Sequence, residues 1–321
     1  MKAKIDLSTL WEKYGTFVIL IAMVAVFGIL SPKDFFNSNN FVQILLQSSV
    51  TILIACGEFF AILNAGIDLS VGAMLALTGM VTGKLLVMGM NPLLSILLGG
   101  ILLGALLGII NGTLVNLTKL HPFIITLGMN SIYRGITLII SDARPVFGFD
   151  SSFTKGVSGW LWFIPKPVVI AIIVAFILLF ITKKTKLGRN IYAMGGNKDA
   201  AWYSGINVKL HTLTVFTISG VCAGIAGVVL TARLGSAEPL AATGYETFAI
   251  AAAIIGGTSF FGGKGSIAKV VIGGIIIGAI SNGLNMLSVA TYYQQIVMGA
   301  LIIGAVTLER VFGASMKSIS K

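Results

Sequence analysis

The chain alternates between long apolar runs and short polar connections. Each run is close to the roughly 17–25 residues that a helix needs to cross the hydrocarbon core of a membrane. Ten runs of this kind are predicted, over residues 15–31, 43–63, 69–89, 93–117, 122–140, 166–182, 211–233, 245–261, 267–287 and 292–308. The pattern therefore predicts an all-α polytopic membrane protein of about ten transmembrane helices, with residues 1–321 as a single transmembrane domain.

The composition supports a membrane protein. Hydrophobic residues make up 56% of the 321 residues and charged residues only 10%, and the mean hydropathy is +0.97. A soluble domain carries roughly a quarter charged residues, so this chain lacks the polar surface that water requires. The 39 glycines indicate close helix packing within the membrane. Cys56 and Cys222 both lie in apolar segments, where we expect buried thiols and no disulfide.

Lysine and arginine are distributed unevenly between the two sets of loops. If the N-terminus is cytoplasmic, fourteen of the 22 fall on that side, five on the opposite side and three within spans. Because cytoplasmic loops carry the excess of basic residues, both termini are predicted to be cytoplasmic, with an even number of spans. The basic residues flank spans, so the net charge of +11 is explained without a nucleic-acid partner.

Two loops are longer than the rest. Residues 141–165 face outside in this orientation, and their Gly, Pro, Trp and Phe content is typical of an ordered cap. Residues 183–210 form a cytoplasmic loop that contains the signals of a short helix. Asn197 is a good N-cap, Asp199 lies in the first turn, and Gly205 is placed to end the helix.

The other residues of this loop suggest how the short helix is used. Gly195 and Gly196 predict a sharp turn just before it, and Trp202 and Tyr203 are expected to anchor it to the membrane domain or its interface. Small residues that would let the helix sit deep in a partner's groove are Ala200, Ala201 and Ser204. The alternative is an ordinary interfacial helix on lipid headgroups, but so short a helix has little apolar area for that role.

Several stretches resemble the permeases of ribose-type sugar ABC transporters. They are "LGRNIYAMGGNKDAAWYSGINV" (187–208), "SSVTILIACGEFFAILNAGIDLSVGAMLALTG" (48–79), "HPFIITLGMNSIYRGITLIISDA" (121–143), "ARLGSAEPLAATGYETFAIAAAIIGGTSFFGGKGS" (232–266) and "ISNGLNMLSVATYYQQIVMGALII" (280–303). The resemblance extends along nearly the whole chain. Within it, "GEFFAILNAGIDLSVG" and "SFFGGKG" are most similar to the members that transport D-allose, while permeases for ribose and galactose share the framework.

The resemblance implies the permease domain of an ATP-driven monosaccharide importer in the bacterial cytoplasmic (inner) membrane. Residues 187–208 would dock on a separate ATPase subunit, whose ATP hydrolysis drives alternating access in a pair of permease subunits, expected to be a homodimer. A periplasmic or lipid-anchored binding protein would deliver the sugar, and residues 141–165 would be the periplasmic loop. The expected ATPase-coupling residues are Arg189, Gly195, Gly196, Asn197, Asp199, Ala200, Ala201, Ser204 and Gly205.

By this resemblance the chain is a transport subunit without catalytic residues or a cofactor, and not an enzyme. From a different class, the alternative is a self-sufficient channel or ion-coupled carrier. The docking helix and the lack of an obvious charge relay stand against that alternative.

Polar residues within the apolar runs are candidates for the transport path, because ionisable groups in a membrane are costly. They lie in or near two interrupted segments, "NAGIDLSVG" (64–72) and "GSAEPLAATGYE" (235–246), which we expect near the outer mouth or midplane. The candidates are Glu58, Asn64, Asp68, Glu238 and Glu246. Alternatively, Asp68 and Ser70 cap the helix that follows them. Arg134 is expected to pair with an acid or to snorkel.

Two further motifs are not interpreted as ligand-binding sites. "GGTSFFGGKGS" (256–266) has the glycine spacing of a phosphate-binding loop, but Gly263 stands where that loop needs lysine. We interpret it as a tight cytoplasmic turn near the ATPase contact. His121 is expected at a helix start beside Pro122, and the chain has only one other histidine, so no metal site is predicted.

Overall fold

The computed structural model describes residues 7–319, with side chains described for residues 14–290 and 292–307. The predicted placement of the two chain ends, residues 1–6 and 320–321, lies outside the described residues. The described chain is mostly helical. Its helices are α1 Leu7–Leu30, α2 Pro32–Phe35, α3 Ser38–Leu63, α4 Val71–Val87, α5 Pro92–Ser95, a π-helical stretch Ile96–Leu102, α6 Leu103–Thr118, α7 Pro122–Ser141, α8 Ser151–Ser158, α9 Lys166–Lys184, α10 Lys186–Gly196, α11 Lys198–Tyr203, α12 Val208–Leu234, α13 Tyr245–Ile255, α14 Ile267–Met286 and α15 Thr291–Ile319.

Six of these helical segments are long and apolar enough to cross a membrane. They are Ser38–Leu63, Pro92–Thr118, Pro122–Ser141, Lys166–Lys184, Val208–Leu234 and Ile267–Met286. Shorter apolar helices, Tyr14–Leu30, Val71–Val87, Tyr245–Ile255 and Tyr292–Thr307, coincide with the other four predicted runs. A mostly helical chain with six candidate membrane spans among the described residues agrees with the predicted membrane architecture, while about ten crossings and their orientation stay predictions.

One predicted run is much shorter in the structure. α13 ends at Ile255, because Gly256 and Gly257 turn the chain and Gly257 adopts a φ of +78°. The prediction of a helix through residue 261 is wrong. Eleven residues extend about 16 Å, roughly half of the ~30 Å hydrocarbon thickness.

The core forms around α3, which is buried along most of its length between α12, α13 and α14. The longest helix contact, between α6 and α12, depends on glycine. A Cβ at Gly104 or Gly108 would overlap the backbone carbonyl of Gly220 or Phe216. Without side chains at these positions the two backbones approach closely, as small residues allow in membrane helices.

Residues 141–165 fold into short elements at one end of the bundle. β1 (Val146–Phe147) pairs antiparallel with β4 (Ser236–Ala237), and β2 (Trp160–Leu161) with β3 (Ile164–Pro165). α9 follows these elements, is about 28 Å long and is followed by α10. The bundle therefore has a 141–165 end and, opposite to it, a 187–208 end.

Candidate functional site

The 187–208 segment consists of two helices, α10 and α11, that meet at Asn197. Asn197 has an extended conformation, with a φ of −158°, and this residue breaks the helix. Gly195 and Gly196 lie in the last turn of α10. The predicted sharp turn at these two glycines is therefore wrong, and the turn falls one residue later. Arg189 is exposed on α10.

The capping of α11 confirms what the sequence predicted. Asn197 Oδ1 accepts a hydrogen bond from the Ala200 amide at 2.9 Å, and Asp199 lies in the first turn. Gly205 adopts a φ of +82°, and its amide donates to Trp202 O at 2.9 Å. The left-handed conformation at Gly205 ends the helix, as glycine commonly does.

α11 contacts the protein through one small residue and leaves the rest of its surface open. Ala201 is buried, whereas Ala200 and Ser204 are exposed. Trp202 and Tyr203 are 62% and 81% exposed and pack on each other, with ring centroids 4.8 Å apart. These two aromatic residues do not anchor the helix to the membrane domain, where Ala201 makes the contact, and the expected anchoring at the membrane interface stays a prediction.

α10 is locked onto the bundle at Gly195. A Cβ at Gly195 would overlap Leu63 O, at the end of α3, and would lie 2.6 Å from Gly263 N. Gly263 N itself donates to Leu63 O at 2.9 Å. Gly196, the next residue, has open space on its Cβ side. The 187–208 segment therefore contacts α3 and the turn at 256–266 directly.

Tyr192 adds a second contact between α10 and this turn. Its hydroxyl donates to Gly265 O at 2.8 Å. Burial raises the pKa of the Tyr192 phenol, which keeps it a hydrogen-bond donor. The sequence predicts this turn near the ATPase contact, but no sequence pattern identifies Tyr192.

The first interrupted segment, residues 64–70, folds back into the bundle and is held by two carboxyl groups. Asp68 Oδ1 accepts from the amide and the hydroxyl of Ser70, at 3.1 and 2.6 Å, and Oδ2 accepts from Ser219 Oγ at 2.8 Å. Glu58 Oε1 accepts from the Asp68 amide at 3.1 Å. These side chains are fully buried. Asp68 thus fixes Ser70 directly before α4. Ser70 stands at the N-cap position but makes no side-chain capping hydrogen bond, so the alternative that both residues cap α4 is wrong for Ser70.

This polar cluster extends to α6 and α7. Asn111 Nδ2 donates to Ser70 Oγ at 2.8 Å, and Tyr133 donates to Asn111 Oδ1 at 3.0 Å and to Leu107 O at 2.9 Å. A buried polar network of this kind fixes one arrangement of helices. No sequence pattern identifies Asn111, Tyr133 and Ser219, because each is a single polar residue in an apolar run.

The second interrupted segment, residues 235–246, is held from α7. Arg134 Nη1 donates to Pro239 O at 3.1 Å and to Ala241 O at 2.8 Å. The guanidinium donates its hydrogen bonds to these backbone carbonyls, and Glu246 is the acid whose charge acts on it. Glu238 accepts from Ser236 Oγ at 2.7 Å, beside β4 at the 141–165 end.

The two segments enter from opposite ends and meet inside the bundle. A Cβ at Gly72, near the start of α4, would lie 2.6 Å from Glu246 Oε2 and 2.7 Å from Ala242 O. The expectation that both segments lie near the outer mouth or the midplane stays a prediction. Asn64 lies at the 187–208 end, directly after α3, and Glu238 at the other end, so the five predicted path residues do not form one cluster.

A cavity of about 220 Å³ lies where α7 passes the start of α13. It is lined by Asn130, Ser131, Arg134, Thr243, Gly244 and Glu246. Ser131 is exposed, so the cavity reaches the surface of α7. Of the predicted path residues, only Glu246 lines it. Among the described residues, no group of three His, Cys, Asp or Glu side chains is placed to hold a metal ion.

Comparison with known proteins identifies similar permeases. Residues 40–306 match the family described as branched-chain amino acid transport system / permease component. The chain is 63% identical to the D-allose transport system permease protein of Escherichia coli (strain K12), over 96% of this chain and 95% of that one. It is 41% identical to the ribose import permease protein of Haemophilus influenzae, over 93% of each. It is 36% identical to the galactose/methyl galactoside import permease protein of E. coli, over 94% of this chain and 95% of that one. No solved structure matches the chain.

Proposed function

Since the chain belongs to the family of branched-chain amino acid transport permease components, we propose that it is the membrane subunit of an ATP-driven importer for D-allose. Identity is 63% to the D-allose relative, against 41% and 36% to the ribose and galactose relatives. This difference favours D-allose over the other sugars. The importer would lie in the bacterial cytoplasmic membrane with its 187–208 end facing the cytoplasm, where ATP is available, and would receive sugar from a binding protein at the 141–165 end.

The observation that carries this proposal is the way the 187–208 segment is mounted. α10 is fixed to the bundle through Gly195, while α11 presents an open face to its surroundings. A capped helix on a rigid base is suited to dock in a groove of an ATPase subunit. The exposed candidates for that contact are Arg189, Gly196, Asn197, Asp199, Ala200, Ser204 and Gly205. Gly195 and Ala201 would act from the inner side, by holding the segment in place.

Movement of the docked segment would reach both interior segments. Leu63 O, which faces Gly195, is directly followed by residues 64–70, where Asp68 holds the start of α4. The turn at 256–266 directly follows α13, at whose start Glu246 lies. One displacement of α10 would therefore shift the starts of α4 and α13 relative to each other. Such a coupled shift is what alternating access requires.

We also propose that a second copy of the chain packs against α7, which would make the permease a homodimer. Gly128 and Gly135 of α7 have open space on their Cβ sides, and Ser131 between them is exposed. Small residues at such spacing allow two membrane helices to approach closely. A partner on this face would cover the cavity and enclose the sugar path between the two copies.

The test is uptake of radiolabelled D-allose into proteoliposomes. The permease is reconstituted with an ATPase subunit and a sugar-binding protein of a D-allose transport system, and each component is omitted in turn. We expect uptake only when ATP and both partners are present, with D-allose preferred over D-ribose in competition. Uptake by the permease alone would contradict the proposal and identify a channel or an ion-coupled carrier.

A further inference from the structure

We propose that the cavity between α7 and the start of α13 is the subsite that holds the sugar within the membrane, with Glu246 as its principal hydrogen-bond acceptor. The proposal rests on the proposed transport function and names the contact residues for it. Asn130, Ser131, Arg134 and Thr243 complete the polar lining. Four of the predicted path residues, Glu58, Asn64, Asp68 and Glu238, are not part of this subsite.

Glu246 has an acceptor that the protein itself does not satisfy. Its Oε2 is covered by the surrounding structure and has no hydrogen-bond partner among the described residues. A buried acceptor without a partner is unfavourable and usually marks a place for a ligand or water. Oε2 lies on the side of Gly72, at the start of α4, and the Glu246 side chain also borders the cavity.

The charges around the cavity indicate what kind of solute it accepts. Arg134 and Glu246 place one positive and one negative group on the same cavity, so neither a cation nor an anion is favoured. Arg134 uses Nη1 for the carbonyls of Pro239 and Ala241, and Nη2 and Nε remain to donate to a ligand. Donors and acceptors on one small cavity fit a neutral polyhydroxy compound, since each hydroxyl both donates and accepts.

The cavity has room for a small solute. Its volume of about 220 Å³ is well above the roughly 10–15 Å³ that a cavity needs to hold one water. Glu58 and Asp68 do not line this space. Asp68 is held by Ser70 and Ser219 and positions α4. Glu58 Oε1 accepts from the Asp68 amide, and Glu58 Oε2 is also buried without a partner among the described residues, but of these acids only Glu246 lines the cavity.

The experiment measures binding of radiolabelled D-allose to the permease–ATPase complex in nanodiscs, without the binding protein, beside ATP-driven uptake by the same preparations in proteoliposomes. Glu246→Gln and Asn130→Ala alter the subsite. Glu238→Gln makes the same chemical change as Glu246→Gln at the 141–165 end and is the matched control. ATP hydrolysis and the elution profile of each complex show that it is assembled.

We expect Glu246→Gln to weaken D-allose binding at least tenfold and to reduce uptake, because a hydrogen bond to a charged acceptor is about twice as strong as one between neutral groups. Asn130→Ala should weaken binding several-fold, while Glu238→Gln stays within twofold of wild type. Wild-type transport combined with equal binding by all variants would overturn the subsite and leave the transport function intact. Absence of ATP-driven uptake by wild type would instead overturn the transport function and the subsite with it.

Discussion

Substitution of Gly195 by alanine tests the connection between the 187–208 segment and the bundle. The new Cβ would lie 2.6 Å from Gly263 N and nearer still to Leu63 O, where contacts below 3.0 Å force a shift. The turn would have to move by at least about 0.4 Å, and Leu63 O by more, which strains the hydrogen bond from Gly263 N to Leu63 O. Overpacking costs about 1–3 kcal/mol and loss of this hydrogen bond about 0.5–1.5 kcal/mol. We therefore expect the free energy of unfolding to fall by about 2–4 kcal/mol.

Gly196→Ala is the matched control, because Gly196 is the adjacent residue in the same helical turn and has no atom within 4 Å of its Cβ position. Alanine in a helix is favoured over glycine by roughly 0.5–1 kcal/mol, so this variant should be as stable as wild type or slightly more so. The assay is thermal unfolding in detergent, because Gly196 is a candidate ATPase contact and uptake would not separate the two roles. Gly195→Ala should lower the melting temperature. Equal melting temperatures of the two variants would refute the close contact of α10 with α3.

Two more predictions concern packing and pH. Gly108→Ala should lower the melting temperature, because the new Cβ overpacks against Phe216 O at a cost of about 1–3 kcal/mol. Gly304→Ala is the control and should leave the melting temperature unchanged, because no atom lies within 4 Å of its Cβ position. Equal melting temperatures of the two variants would argue against the α6–α12 contact. Because burial raises the pKa of Tyr192, its contribution to stability is complete below the ordinary tyrosine pKa of about 10 and is lost as pH rises through the raised pKa. Melting temperature against pH should therefore fall more steeply above about pH 10 in wild type than in Tyr192→Phe, and parallel curves would contradict the buried phenol.

Local patterns in the sequence predicted local structure well. The apolar runs coincide with helices, and the capping signals at Asn197 and Gly205 are confirmed because they depend only on neighbouring residues. The failures share a different cause. Gly195 is a site of close contact with Leu63, 132 positions away along the chain by residue number, and no local signal separates it from Gly196.

The interior site shows the same limit. The sequence indicated Glu58, Asp68 and Glu246 as path candidates, since each is an acid in or beside an apolar run. Only the fold shows that Glu58 and Asp68 hold α4, while Glu246 borders a cavity with Arg134. Tertiary contacts decide which acid borders a cavity, and composition and periodicity do not predict these contacts.

The proposed importer depends on docking of α11 on an ATPase subunit. The most direct test is photocrosslinking from a benzophenone maleimide attached to Ala200→Cys in the assembled, ATP-hydrolysing complex. Cys56 and Cys222 are buried, so the introduced thiol is the one that reacts among the described cysteines. Ser152→Cys, exposed at the opposite end of the bundle, is the control. We expect a covalent product with the ATPase subunit when the crosslinker is attached at residue 200 and none when it is attached at residue 152. No product from residue 200, or equal products from both, would contradict it.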